Sequence, residues 1–127
     1  MILTGLNVSP GRRVVEAGTG SGSLSTSLAH HLYPSGCLYT FEYHKGRFEE
    51  AKADFARLGD YGTVIVPEHR DVINHGFPEH LNQQIDSVFL DLPAPWLAVP
   101  HAAKALRAGG RLCCFSPCIE QVLFEFF

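Results

Sequence analysis

Three glycines at alternate positions, Gly18, Gly20 and Gly22, follow the acid Glu16 and a pair of valines, Val14-Val15. A strand-to-helix turn on this spacing carries little Cβ bulk, so its backbone can approach a ligand closely. The helix beyond it offers unpaired N–H groups. Three more carboxylates, Glu42, Asp71 and Asp91, stand at or just past the ends of β-forming runs. In parallel α/β sheets ligands bind outside the carboxyl ends of the strands, so acids placed there are candidates for binding and chemistry.

The spacing bears on the ligand. A dinucleotide loop reads Gly-x-Gly-x-x-Gly and brings a helix dipole onto a pyrophosphate. Here it reads Gly-x-Gly-x-Gly, with Ser23 where the third dinucleotide glycine belongs. S-adenosylmethionine has no phosphate and needs close backbone approach to its methionine and ribose instead. Glu16 is placed to hold the loop and the methionyl ammonium. Glu42, about twenty residues beyond the loop, suits both ribose hydroxyls. Asp71 suits the adenine N6 amino group, with Val72 against the ring. Asp91 leads the run Asp91-Leu92-Pro93-Ala94-Pro95-Trp96, whose two prolines restrict the turn and hold the acid rigidly.

The elements that must position these residues alternate, as a parallel α/β sheet requires. Val14-Val15 begins a first strand after the turn Ser9-Pro10-Gly11, and a helix runs from about Leu24 to Leu32, closed by Pro34 and Gly36. Cys37 to Phe41 reads as strand two, ending at Glu42. Gly46 to Leu58 reads as a helix with Gly59 as its C-cap. Thr63 to Val66 gives strand three, followed by a loop containing Asp71, Gly76 and Pro78. Ile85 to Leu90 gives strand four, Trp96 to Leu106 a helix stopped by Gly109-Gly110, and Arg111 to Phe115 strand five. Ile119 to Phe127 reads as the start of another helix. Trp96 reads as a core anchor at a helix start rather than a functional residue.

The chain has 127 residues, so one domain over 1–127 is expected. Hydrophobic residues are 46% and charged residues 18%, enough for a packed core without an apolar run that could span a bilayer. No signal peptide is evident at Met1-Ile2-Leu3. Cys37, Cys113, Cys114 and Cys118 lack zinc spacing and read as reduced structural thiols, and the seven histidines show no ligand pattern, so no metal is expected. Cys113 and Cys114 on a strand point to opposite faces. The formal net charge is −3 with no run of Lys or Arg, so the chain shows no basic patch for nucleic acid.

Glu16-Ala17-Gly18-Thr19-Gly20-Ser21-Gly22-Ser23, Glu42-Tyr43-His44, Asp71-Val72, Asp91-Leu92-Pro93-Ala94-Pro95-Trp96 and Phe115-Ser116-Pro117-Cys118-Ile119-Glu120-Gln121-Val122 together resemble the catalytic subunit of eukaryotic tRNA (adenine-58-N1)-methyltransferases. The resemblance implies an α/β, Rossmann-like class I methyltransferase, here with five parallel strands and without the final hairpin. It implies methyl transfer from S-adenosylmethionine to N1 of adenosine 58 in the tRNA T loop, giving 1-methyladenosine. Cofactor contacts would fall on Gly20, Ser21, Gly22, Ser23, Glu42, Arg47, Asp71, Val72 and Asp91, joining Glu16 and Gly18 from the loop itself. Arg47 has an alternative reading as a solvent-facing helix residue paired with Glu49 or Glu50. The implied partners are tRNA and a related non-catalytic, tRNA-binding subunit in a heterotetramer, with the nucleus as the expected location and the cytoplasm as the alternative.

Adenine N1 carries a free lone pair, so positioning and electrostatics rather than a general base must supply the acceleration. Asp91 is the catalytic candidate: a carboxylate beside the N6 amino group stabilises the cationic product base. N6 methylation through an (Asp/Asn)-Pro-Pro-aromatic motif is a rival, disfavoured because Leu92 and Ala94 interrupt the prolines. A small-molecule methyltransferase sharing only the cofactor half is a further rival. The chain also begins almost at the core and lacks the family's last strands. A catalytically inactive fragment or isoform that retains only cofactor or partner binding therefore stands as the alternative, with strand five left as an open sheet edge.

Overall fold

The computed structural model describes residues 8–115 and the backbone of 122–125. Five strands are parallel: β1 (Arg13–Ala17), β2 (Cys37–Glu42), β3 (Ile65–His69), β4 (Ile85–Asp91) and β5 (Leu106–Phe115). With β6 (Val122–Glu125) they form one sheet in the order β3-β2-β1-β4-β5-β6. The order reverses between β1 and β4, which opens a crevice at the carboxyl ends of those two strands.

Helices cover both faces. α1 (Ser23–Leu32) and α2 (Lys45–Ala56) bury Leu28, Leu32, Ala51 and Phe55 against Val14, Leu38, Phe89 and Cys113. On the other face α3 (Val72–His75) and α4 (Val99–Ala105) bury Val72, Ala102 and Ala105 against Val15, Val88, Leu112 and Cys114. Strand residues alternate between the two cores because successive side chains point to opposite faces, so Cys113 and Cys114 part as expected. β4 is buried on both faces over Ile85–Leu90, and only Asp91 emerges. Below the sheet, buried Asp86 accepts from the Arg13 backbone N–H at 2.8 Å and pairs with Arg107, tying the start of β4 to β1 and β5.

Several expectations change. β3 starts later than expected, at Ile65, because Gly59–Val64 winds into a 3₁₀ turn; Pro67 is tolerated in β3 because this strand is an edge. The loop after β3 contains the single turn α3. The helix expected from Trp96 splits into a 3₁₀ turn, Pro95–Leu97, and α4, and β5 begins at Leu106 rather than Arg111. Gly109, at φ +81°, lies in the irregular pairing between β4 and β5 and bends the strand instead of preceding it. Trp96 is 65% exposed, so it does not anchor the core. The prolines hold the backbone there, and buried Pro95 and Ala98 take the inward positions.

The largest change lies at the C-terminal edge. Where a helix was expected from Ile119 to Phe127, Val122–Glu125 is a strand antiparallel to β5, with Leu112 opposite Phe124 and Cys114 opposite Val122. The edge of β5 is therefore paired, not open. A short apolar run does not distinguish strand from helix by periodicity. Residues 116–121, including the resemblance motif from Ser116 to Gln121 and the thiol Cys118, lie outside the described residues.

Candidate cofactor and acceptor site

The glycine loop is fixed at both ends. Gly18 donates to the Phe41 carbonyl at 2.8 Å, and Gly20 donates to Glu42 Oε1 at 2.9 Å. Gly18 has φ +95°, and a Cβ there would lie 2.1 Å from the Asp91 carbonyl oxygen. This glycine is required by close packing against the end of β4. Gly20 differs: at φ +56° it has no atom within 4 Å of where its Cβ would be, so its missing side chain leaves space open.

Glu16 sits beneath the loop and is fully buried. Its Oε1 accepts from Ser25 on α1 and from Thr40 on β2, the latter at 2.7 Å, and Thr40 in turn meets the Thr19 hydroxyl at 2.6 Å. The chain Thr19–Thr40–Glu16–Ser25 thus links loop, β2 and α1. Burial pushes the Glu16 carboxyl up to about 7, more than these hydrogen bonds lower it. Its Oε2 is buried with no hydrogen-bond partner among the described residues.

Glu42 is also buried, and both oxygens accept backbone donors: Oε1 from Gly20, and Oε2 from His44 at 2.9 Å. Each carboxylate oxygen has a second acceptor position, so the group can hold the loop and still receive a pair of hydroxyls. Asp71 caps α3, with Oδ1 accepting from the Asn74 backbone at 3.3 Å and Oδ2 from its amide at 2.7 Å. The Asn74 side chain holds the Asp71 carboxyl below its usual range, the largest influence on it. Asp91 stands exposed at the end of β4, its carboxyl raised by desolvation.

These segments enclose one cavity of about 780 Å³, within the size range of small-molecule sites. Gly18, Gly20, Glu42, Arg47, Asp71, Val72 and Asp91 line it. Glu16, Ser21, Gly22 and Ser23 do not: Glu16 lies beneath the loop, Gly22 is buried with its Cα turned to Phe55, and the two serines are exposed and share a 3.1 Å hydrogen bond. Arg47 is exposed at the rim of the cavity and makes no ion pair with Glu49 or Glu50 among the described residues. Sequence reasoning did not single out Phe41, Tyr43, His44, Arg70, Ile73, Asn74, Leu92 and Pro93, which also line it. The signal for Asn74 was present in Asp71-x-x-Asn74, a capping spacing. No cluster of His, Cys, Asp or Glu among the described residues could hold a metal.

Parallel sheet, switch-point crevice, glycine loop and acidic strand ends define a Rossmann-like class I fold of the S-adenosylmethionine-dependent methyltransferases. Solved structures agree: a SAM-dependent O-methyltransferase from Thermotoga maritima matches with TM-score 0.79 and 28% identity over 88% of this chain and 40% of that one. A tRNA (m1A58) methyltransferase from Aquifex aeolicus matches with TM-score 0.74 and 25% identity over 86% of this chain and 41% of that one. The chain belongs to the family described as tRNA methyltransferase complex GCD14 subunit, whose model matches residues 1–124. Curated relatives named tRNA (adenine(58)-N(1))-methyltransferase catalytic subunit are 52% identical over 120 residues in Cryptococcus neoformans and 47% over 123 residues in Dictyostelium discoideum. These alignments take in 93% and 95% of this chain but 27% and 39% of the relatives, so the chain spans about a quarter to two fifths of their length.

Proposed function

We propose that this chain is the catalytic core of a tRNA methyltransferase that uses S-adenosylmethionine to methylate N1 of adenosine 58 in the T loop. The observation that carries the reading is the convergence of Gly20, Glu42, Asp71, Val72 and Asp91 on one cavity at the carboxyl ends of β1 to β4. The names of the relatives support adenosine 58 of tRNA as the acceptor.

The residues present fit the donor. Open space at Gly20 admits the aminoacyl part, buried Glu42 accepts from the ribose, and Asp71 with Val72 meets the adenine. When bound, S-adenosylmethionine supplies a methyl group activated by its sulfonium. The acceptor nitrogen brings its own lone pair, so the chain must place the base rather than deprotonate it. Asp91, at the end of the strand beside the loop, accepts from the base's N6 amino group and offsets the positive charge that grows on the ring. The base reaches it by leaving its stack.

The family's description as a complex subunit supports a protein partner. The assembly proposed is a heterotetramer with a related non-catalytic subunit, which supplies much of the tRNA grip that a chain of net charge −3 lacks. The alternative reading is a chain that retains donor or partner binding without transfer. Methyl transfer to unmodified tRNA, with and without the partner subunit, decides between them. Formation of 1-methyladenosine at position 58 by the assembled protein supports the first reading. Donor binding with no transfer in either mixture supports the second.

A further inference from the structure

α3 is a single turn of four residues, too short to be stable alone. It nonetheless carries Asp71 and Val72 at the cavity wall. Side chains from outside the turn take carbonyls within it and at its C-cap. Arg70 Nε donates to the Gly76 carbonyl at 2.7 Å, and His101 Nε2 lies 3.0 Å from the Ile73 carbonyl, across 28 residues of chain. The carbonyl can only accept, so this nitrogen carries the proton. The other edge of the ring lies against Gly76, where a Cβ would be 2.9 Å from Nδ1. The partly buried imidazole is thus held between α3 and the glycine that ends it.

His101 belongs to α4, which follows the Asp91–Pro95 turn through one 3₁₀ turn. It therefore connects the two segments that flank the cavity, one carrying Asp71 and the other Asp91. We propose that His101 is a positioning residue: its hydrogen bond to Ile73 fixes α3 so that Asp71 meets the adenine amino group. The inference rests on the S-adenosylmethionine reading of the cavity and adds a residue that touches neither donor nor acceptor.

Calorimetry with S-adenosylhomocysteine and its deaminated analogue, S-inosylhomocysteine, tests it. The analogue places a carbonyl opposite Asp71 where adenine places an amino group, so the parent chain prefers the adenine compound. His101→Ala is expected to weaken S-adenosylhomocysteine binding about fivefold, the scale of one lost hydrogen bond, and to reduce the preference by the same factor. His101→Gln, which retains an N–H donor, is expected to recover most of both. A purely structural role would weaken both compounds equally and leave the preference intact, and that result in His101→Ala overturns the proposal. Should His101→Ala fail to fold, the comparison passes to His101→Gln and His101→Leu: equal preference in those two overturns it, and greater preference in the glutamine variant supports it. Absence of binding by the folded parent chain overturns the cofactor reading and this inference together, whereas parent-like preference in His101→Ala overturns this inference alone.

Discussion

A Cβ on Gly18 would stand 2.1 Å from the Asp91 carbonyl oxygen, so the first glycine of the loop is packed directly against the strand end that presents the candidate catalytic acid. The glycine loop and the end of β4 are in this way packed against each other. Gly20, two residues on, faces open space with its amide tied to Glu42. The two glycines share a positive φ and differ in what a methyl group would meet.

That difference makes a prediction. Gly18→Ala combines left-handed strain with a clash against backbone and is expected to cost about 3 kcal/mol or more of stability. Gly20→Ala bears the strain alone, about 1–2 kcal/mol, and the chain stays folded while donor affinity falls at least about tenfold. Thermal unfolding and calorimetry on both variants check it. Equal destabilisation of the two would refute the contrast.

Glu16 predicts a pH dependence of stability. Its carboxyl is raised by burial to about 7, whereas in the unfolded chain it ionises near 4.5. Between these values the folded state holds a proton that the unfolded state has released, so stability falls as pH rises through this window and levels above it. The size is on the order of 3 kcal/mol. Glu16→Gln removes the ionisation, and denaturant unfolding from pH 4.5 to 7.5 is expected to show a much flatter profile. An unchanged slope would mean that Glu16 is not the group responsible.

Glu42 holds the loop and faces the cavity, so Glu42→Gln is expected to act on both. Its amide can replace one acceptor but turns an NH₂ toward Gly20 or His44, at a cost of about 1–3 kcal/mol. Donor binding is expected to weaken by about a hundredfold, the combined loss of a charged acceptor and the ordered loop. A smaller loss for S-adenosylhomocysteine than for adenine alone would show that Glu42 does not reach the ribose.

Asp91→Ala is expected to abolish methyl transfer in the assembled enzyme while changing donor affinity less than about threefold, because the loop packs on the Asp91 backbone and not its side chain. Desolvation raises the Asp91 carboxyl, so the acid limb of the parent's rate profile is expected above the ordinary carboxylate range. Full activity of the alanine variant would remove Asp91 from the chemistry.

The sequence carried the parallel sheet and the acidic strand ends because both leave local traces: buried runs such as Ile85–Leu90, and glycines that backbone contact demands. It did not carry β6, since Val122–Glu125 is apolar, short and defined by its pairing with β5. Trp96 was misplaced because a tryptophan after a proline reads as an anchor, whereas Pro95 and Ala98 fill that space and the ring points outward. The role of His101 had no sequence signature at all. Its partner lies 28 residues away and is a backbone carbonyl.

On the proposed reading, the cavity between the glycine loop, Glu42, Asp71 and Asp91 receives S-adenosylmethionine. Isothermal titration of the folded chain with S-adenosylmethionine tests it most directly. Saturable binding at one site, weakened by Gly20→Ala and by Glu42→Gln, is the result expected. A folded chain that gives no saturable binding, or that binds equally well with Gly20 and Glu42 replaced, would contradict it.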